Sequence, residues 1–496
     1  MISWLALGLL AWVGCGRGGA PGAWHEEGSY RWRELRVRGH GEGFTSLPAR
    51  RTGITFTNSL SDAAIMQNQN LLAGSGVALG DVDGDGRVDI YLARLEGPNV
   101  LYRNLGGWRF EDVTERAGVG LADRISRGVV LADVDGDGDL DLLVSVHGGR
   151  NVLLRNDGTG VFAEAKDSGF EGEWASSTMA LADVDGDGDL DLYVANYKRR
   201  WARDIYPPEE RSFDRVVQVE DGVYRIRPRY AGQYRIIREN GVWKRWEFGE
   251  PDEFYVNEGG QFERQSWTGG RWRDERGAEL KRAPDEWGLT ARFGDLDGDG
   301  DPDLYVCNDL NSPDHIWWNE GGGVFRAVAP EAVRTTSAAS MAVGMTDFDG
   351  DGVTDVFVAE MLSRDRHRRM TQVPEMMPAP TPPGQIALRP QVNRNTLQIG
   401  RGDGTWAEVA YYAGVAASEW TWGVLTLDVD LDGREDLLLS NGHVLDFLDA
   451  DARSRTQVAP SSGDWRRTRL LYPSLRTANL AFRNVGGERF EEVGRQ

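Results

Sequence analysis

Cysteine is almost absent from this chain: Cys15 and Cys307 are the only two in 496 residues. That excludes a disulfide framework, so the core has to come from packing. The apolar opening, residues 1–14, is too short to cross a bilayer as a helix. Basic charge is outnumbered, 56 Lys and Arg against 78 Asp and Glu, for a formal charge of −22. General nucleic-acid binding, which needs a basic footprint, is excluded on that count. Histidine is scarce, six in all, and no G-x-S-x-G, H-E-x-x-H or phosphate-binding loop occurs. No pairing of nucleophile and base points to hydrolysis, and no catalytic or organic-cofactor residue is assigned.

What the chain does have is one acidic loop written six times, D-x-D-x-D-G-x-x-D. The carboxylates are Asp81, Asp83, Asp85 and Asp89; Asp133, Asp135, Asp137 and Asp141; Asp183, Asp185, Asp187 and Asp191. They continue as Asp295, Asp297, Asp299 and Asp303; Asp347, Asp349, Asp351 and Asp355; Asp428, Asp430, Asp432 and Asp436. Four oxygen-bearing side chains lie within nine residues, with Gly at position six to turn the backbone. A hard cation that wants six to eight oxygens suits such a cradle, so up to six Ca²⁺ ions are expected. Six filled sites would offset much of the acidity. An EF-hand shares the opening D-x-D-x-D-G but needs Glu at position twelve. Here that position holds Leu92, Val144, Val194, Val306, Val358 and Leu439, inside runs such as DLYVA that read as strands. Loop six also carries Leu431 where the other five have Gly.

Each loop sits in a longer unit. One strand enters it (GVALGD), a second leaves it (DIYLA), a third follows (NVLYRN), and a Gly-rich turn leads to a fourth opened by an aromatic. Loop spacings of 52, 50, 112, 52 and 81 residues give a period near 50, with insertions in the long gaps. The expected fold is all-β: a β-propeller of four-stranded antiparallel blades, six repeats visible, with six or seven blades in total. RWRELRVR and GITFTN near the N-terminus are the candidate strands for a seventh.

The expected domain plan is an export segment over 1–15, a linker over 16–48 and the propeller over 49–496. Insertions over 197–250, 362–392 and 442–478 fall between second and third strands. Up-and-down connectivity then puts acidic loops and Gly turns on one face and all three insertions on the other. The first insertion reverses the local charge, with 13 Lys or Arg against 9 Asp or Glu over 198–250 and nine aromatics among them. Such a surface suits an anionic or acidic partner, or a cap over the channel. Glu-Trp pairs recur at Trp174, Trp287 and Trp420 ahead of a loop, on the insertion face. With His443, these form the candidate ligand face, against the plainer reading of blade-to-blade packing. Arg401-Gly402-Asp403 aligns with the Gly turns of other blades and is read as a turn.

The units GVALGDVDGDG, DLYVAN and NVLYRN resemble FG-GAP repeats, also called VCBS-type, of the kind found in integrin α-chain propellers. With SEWTWGVL and SNGHV they are similar to the bacterial cartilage-acidic-protein-like group, often followed by an ASPIC/UnbV domain that is not expected here after RFEEVGRQ. The resemblance covers residues 53–493. It implies that the 24 aspartates ligate Ca²⁺, with the position-seven carbonyl as a further ligand. Trp12-Val13-Gly14-Cys15 resembles a bacterial lipobox, with Trp12 where Leu is usual and no basic residue ahead of it. Cys15 is thereby the candidate lipid anchor and the only expected tie to a membrane. The expected function is an exported calcium-binding module for binding or adhesion at the cell surface, in the envelope or periplasm or outside the cell, with a protein or glycan ligand. The competing reading is an enzyme or accessory subunit acting on polysaccharide.

Overall fold

The computed structural model describes residues 25–28, 30–32, 44–239, 241–310, 312–373, 389–458 and 464–494. The expected export segment over 1–15, with Cys15, and part of the 362–392 insertion lie outside them. Six sheets, five of four antiparallel strands and one of five strands, dominate the described residues. Blade one runs Val77–Gly80, Asp89–Leu92, Val100–Asn104 and Phe110–Asp112 in simple up-and-down order. Blades two to six repeat that order, with first strands Ser126–Ala132, Ser176–Ala182, Gly288–Gly294, Ala342–Thr346 and Thr421–Leu427. Blade four gains a fifth strand, Trp272–Arg273, paired parallel to its outermost strand. Among the described residues no seventh blade forms, and most of the candidate strand RWRELRVR, residues 33–38, lies outside them. His25–Glu27 and Tyr30–Trp32 form a separate ribbon, and residues 53–58 form no strand.

The second strand of each blade shows why the sheets stack. In blade two all of Asp141–Val146 is buried, because neighbours cover both faces of the strand. Apolar residues therefore point both ways along it, without the alternation of a one-sided sheet. Five cores follow, one at each successive blade interface. Ala78, Tyr91 and Leu101 of blade one pack on Leu142, Val144 and Val152 of blade two. Equivalent clusters join blades two and three, three and four, four and five, and five and six. Linkers tighten the stack: Gly169, at φ +78°, lies so close to the outer strand of blade three that a Cβ would run into the Phe262 carbonyl oxygen. Gly53 and Gly118 make the same approach to blades one and two.

Between blade six and blade one the pattern breaks. Leu79 and Leu425, on the two first strands, are 63% and 55% exposed, and Val77 and Leu427 are exposed beside them. Contact across this seam comes from elsewhere, on the insertion face. Ile65 and Leu72, in the segment before blade one, pack with Leu445 of the blade-six insertion. Arg469 of that insertion donates to the carbonyls of Ile65 and Met66 and pairs with the buried Asp204 of the blade-three insertion. Among the described residues no helix is long and apolar enough to cross a membrane.

The Asn that ends most third strands reports the same break. Asn156 Nδ2 reaches back to Val82 O in the blade-one loop at 2.9 Å. Asn257, Asn319 and Asn484 do likewise to Val134, Val184 and Phe348 at 2.8 Å. Asn104 of blade one has no such neighbour and bonds Val88 O of its own loop. Asn156→Ala should therefore cost about 1–3 kcal/mol, leaving buried groups unpaired, and Asn104→Ala clearly less. Urea denaturation of both variants at fixed calcium measures the difference; equal losses would refute the inter-blade role of Asn156.

Candidate functional site

Each acidic loop is closed by its own first carboxylate. Asp183 Oδ1 accepts from Gly186 N at 2.8 Å and its Oδ2 from Gly188 N at 3.0 Å. The other five loops use the first Asp in the same way, through amides at position four or five and at position six. Position four turns left-handed, with φ of 68–83° at Gly84, Gly136, Gly186, Gly298 and Gly350. Leu431 adopts φ +59° at that position in loop six, a conformation that crowds its Cβ.

The four carboxylates then divide into two roles. Positions one, three and five offer oxygens within 4.8 Å of one another at Asp81/83/85, Asp133/135/137, Asp183/185/187, Asp295/297/299 and Asp347/349/351. The ninth-position Asp is buried in all six blades. One of its oxygens accepts the third-strand amide: Asn104 N to Asp89 at 2.7 Å, and its counterparts at 2.8–2.9 Å. In five loops the other oxygen accepts the position-two amide. Burial pushes Asp141 and Asp191 up to about 6 and Asp303 and Asp355 up to about 7, against the pull of those amides.

These residues fit a cation. Oδ1 of Asp83, Asp135, Asp185 and Asp430, all at position three, is buried and receives no hydrogen bond. A hard ion would satisfy oxygens that no donor reaches. Three loops carry a compensating charge of their own. Arg103, Arg155 and Arg483, from the third strands, pair with Asp83, Asp135 and Asp430 through the opposite carboxylate oxygen. Loops three, four and five have Val256, Trp318 and Ile399 at that strand position.

The insertion face gathers a different chemistry. Trp420 stacks on His443 at 4.1 Å between ring centroids and 14° between planes, with Trp422 beyond them. This stack lines a cavity of about 80 Å³ that also takes in Asp309, Glu360 and Tyr197. Trp287, 2% exposed, packs on Tyr197 and Trp201 behind it. Trp174 stands apart, donating to Glu253 at 3.1 Å under the Arg199 guanidinium. The candidate residues thus split: Trp420 and His443 line the cavity, Trp287 supports it, and Trp174 does not reach it. Glu419 belongs to the scaffold. At φ +71° it accepts from Arg364 N and Arg368, and Arg368 also pairs with Asp446, binding two insertions together.

Sequence reasoning missed the two carboxyl groups of this cavity. Asp309 Oδ2 accepts from Tyr197 Oη at 2.7 Å. Glu360 is fully enclosed, Oε2 accepting from Met361 N at 2.7 Å, and burial pushes it up to about 8 with Asp309 adding to the rise. A signal was available. The residue just past the second strand is His147, Tyr197, Asp309 or Glu360 in successive blades, varied where the strands repeat. The buried, unpartnered Nε1 of Trp420 adds a donor at the same cavity.

A family model described as FG-GAP-like repeat matches residues 81–144, 133–194 and 295–358. Cartilage acidic protein 1 of Mus musculus is 36% identical over 81 residues, 16% of this chain and 12% of that protein. The Homo sapiens protein is 35% identical over 80 residues, with the same shares. The match therefore spans only about an eighth of these relatives' length. Among solved structures, an Agrocybe aegerita lectin described as recognising non-reducing terminal N-acetylglucosamine aligns over 84% of this chain and 79% of its own. Its identity is 15% and its TM-score 0.40. The V. cholerae biofilm matrix protein Bap1 aligns over 74% and 66%, at 12% identity and TM-score 0.28.

Glu360 makes stability depend on pH. Its folded pKa lies above its unfolded one, so stability is fullest below the unfolded pKa of about 4.5 and falls as pH rises toward about 8. Glu360→Gln should remove that slope and be the more stable form at pH 8, on the order of a few kcal/mol. Melts of both proteins at pH 5 and pH 8 test this; parallel pH dependence would refute it.

Proposed function

We propose that this six-bladed propeller of FG-GAP-like repeats is an exported, calcium-stabilised module that binds a protein or glycan ligand on the face opposite its acidic loops. The observation that carries this reading is the separation of chemistries. Carboxylate triads with orphaned oxygens occupy one rim, and an aromatic stack beside two carboxyl groups lines a cavity at the other. A binding site suits the second rim, where loops stand on a rigid scaffold. Positions one, three and five would hold Ca²⁺, joined by the position-seven carbonyl and by lone pairs left on the ninth-position Asp. The ion would offset about half the charge of each loop's four carboxylates and tie the two strands the loop connects. Export is supported by the apolar opening before Cys15, and weak, solvent-facing sites suit extracellular calcium levels. The acidic surface leaves nucleic acid an unfavourable partner.

Glu360 favours a second reading. A carboxyl group held protonated near neutral pH, beside the ionisable Asp309, is what a general acid requires. Polysaccharide cleavage at this cavity is therefore the alternative. A panel of glycans and envelope proteins, titrated with calcium present, separates the two. Saturable binding without product, lost in Trp422→Ala, supports the module; turnover lost in Glu360→Gln supports the enzyme.

The metal has its own test. Excess EGTA should lower the melting temperature by roughly 10 °C or more, through loss of ligand linkage. Asp83→Ala should reproduce part of that fall, whereas Asp139→Ala, at position seven, should leave it nearly unchanged. An unaltered melt in EGTA would remove calcium from the account, and equal effects of the two substitutions would overturn the ligand assignment.

A further inference from the structure

A second cavity, of about 570 Å³, lies on the flank of blade four, away from the channel mouth. One wall is the long linker from blade three, through Glu286. The floor is the third strand, His315–Asn319, and Arg389 closes the far side as the chain returns from the blade-five insertion. Arg389 is 8% exposed and is held by two carbonyls, Nη1 to Asp314 O at 3.1 Å and Nη2 to Val328 O at 2.9 Å. Its position is therefore fixed without any carboxylate partner.

Three residues of the lining each carry one polar atom that is buried and unmatched: Arg389 Nε, Trp317 Nε1 and Glu286 Oε2. Trp317 is 3% exposed. The His315 ring meets it edge-on at 5.7 Å, and His315 Nε2 stands 3.8 Å from Glu286 Oε2, beyond hydrogen-bond range. Two donors and one acceptor buried around one open cleft are costly to leave unmade, about 1–3 kcal/mol each. Asp314, just beneath, cannot supply the missing acceptor. Its oxygens already take Asn308 N, Tyr305 Oη and Ser340 Oγ at 2.7–3.0 Å.

We infer that this cavity binds a neutral polyhydroxylated ring, a sugar unit, at a site separate from the channel mouth. Hydroxyl groups both donate and accept, so one such ligand can satisfy Arg389, Trp317 and Glu286 together. A carboxylate ligand would bring negative charge against Glu286 and Asp314. An ammonium would bring positive charge against Arg389. The volume falls in the range of small-ligand sites, and Pro313, Ile316 and Pro330 offer an apolar wall to a ring face. The inference goes beyond the proposed function and does not depend on what the mouth binds.

The test uses the full chain with calcium present, titrated by calorimetry with neutral monosaccharides, uronic acids and hexosamines. Hydrogen–deuterium exchange locates any binding. The expected result is saturable binding of at least one neutral sugar at about 1 mM, roughly tenfold weaker for its charged counterparts. Protection should appear at residues 274–286 and 313–317. Glu286→Ala should weaken binding about tenfold, and His315→Ala serves if that variant melts early. An oligosaccharide ending in the same sugar, compared with the free monosaccharide, distinguishes a glycan end from a free ligand. No saturable binding up to about 50 mM, equal or tighter binding of charged sugars, or protection confined to residues 443–447 would overturn the inference. The last result would still leave the mouth reading intact.

Discussion

A buried carboxylate gripping backbone amides is the interaction on which this architecture rests. The Asp at loop position nine is out of water in every blade and holds the third strand's amide, and in five blades the loop's own amide as well. Burying a charge is tolerable only with such partners. The bonds seat each acidic loop against its sheet, and that seat holds positions one, three and five within reach of a common ion. In blades two, three, four and six the third-strand Asn beside it spreads the constraint, because its side chain reaches into the preceding blade. Loop, strand and neighbour are thus one hydrogen-bonded unit, repeated around the axis.

Much of this was legible in the sequence, and for a local reason. A nine-residue acidic loop followed by β-branched residues announces turn and strand within one window, and six copies announce the propeller. The division of labour among the aspartates was not legible. Asp89 and Asp83 are the same letter, and only tertiary burial makes one a structural staple and leaves the other with a bare oxygen. GITFTN reads as a strand by composition, yet Thr55 N bonds the Tyr102 hydroxyl rather than a neighbouring ladder. The channel-mouth cavity was legible in part. Trp420 and His443 stood out by motif, whereas Asp309 and Glu360 come from other blades and meet them only through the closure of the fold.

Charge is organised by position as well as by amount. The insertions draw on buried ion pairs to fasten themselves together: Arg469 with Asp204, and Arg368 with Glu419 and Asp446. Pairs of this kind add little net stability but are costly to break singly, so they fix which surfaces meet. The insertion face is therefore cross-braced by arginines, while the loop face is a set of carboxylate clusters. A protein of uniform net charge would not present two such different ends.

The seam between blades six and one gives the molecule a beginning and an end that a sealed ring would not have. Blades one and six each bury a single apolar face, whereas the four between them bury two. In a nearest-neighbour array the terminal units are the first to fray. No blade-to-blade core is packed at this one joint, so blades one and six are held together through the contact of Ile65 and Leu72 with Leu445 and through the Arg469 bonds instead. What braces that joint is the segment before blade one, clasped by the blade-six insertion on the same side as the mouth cavity. A ligand seated there would act on the latch of the ring as well as on its own pocket.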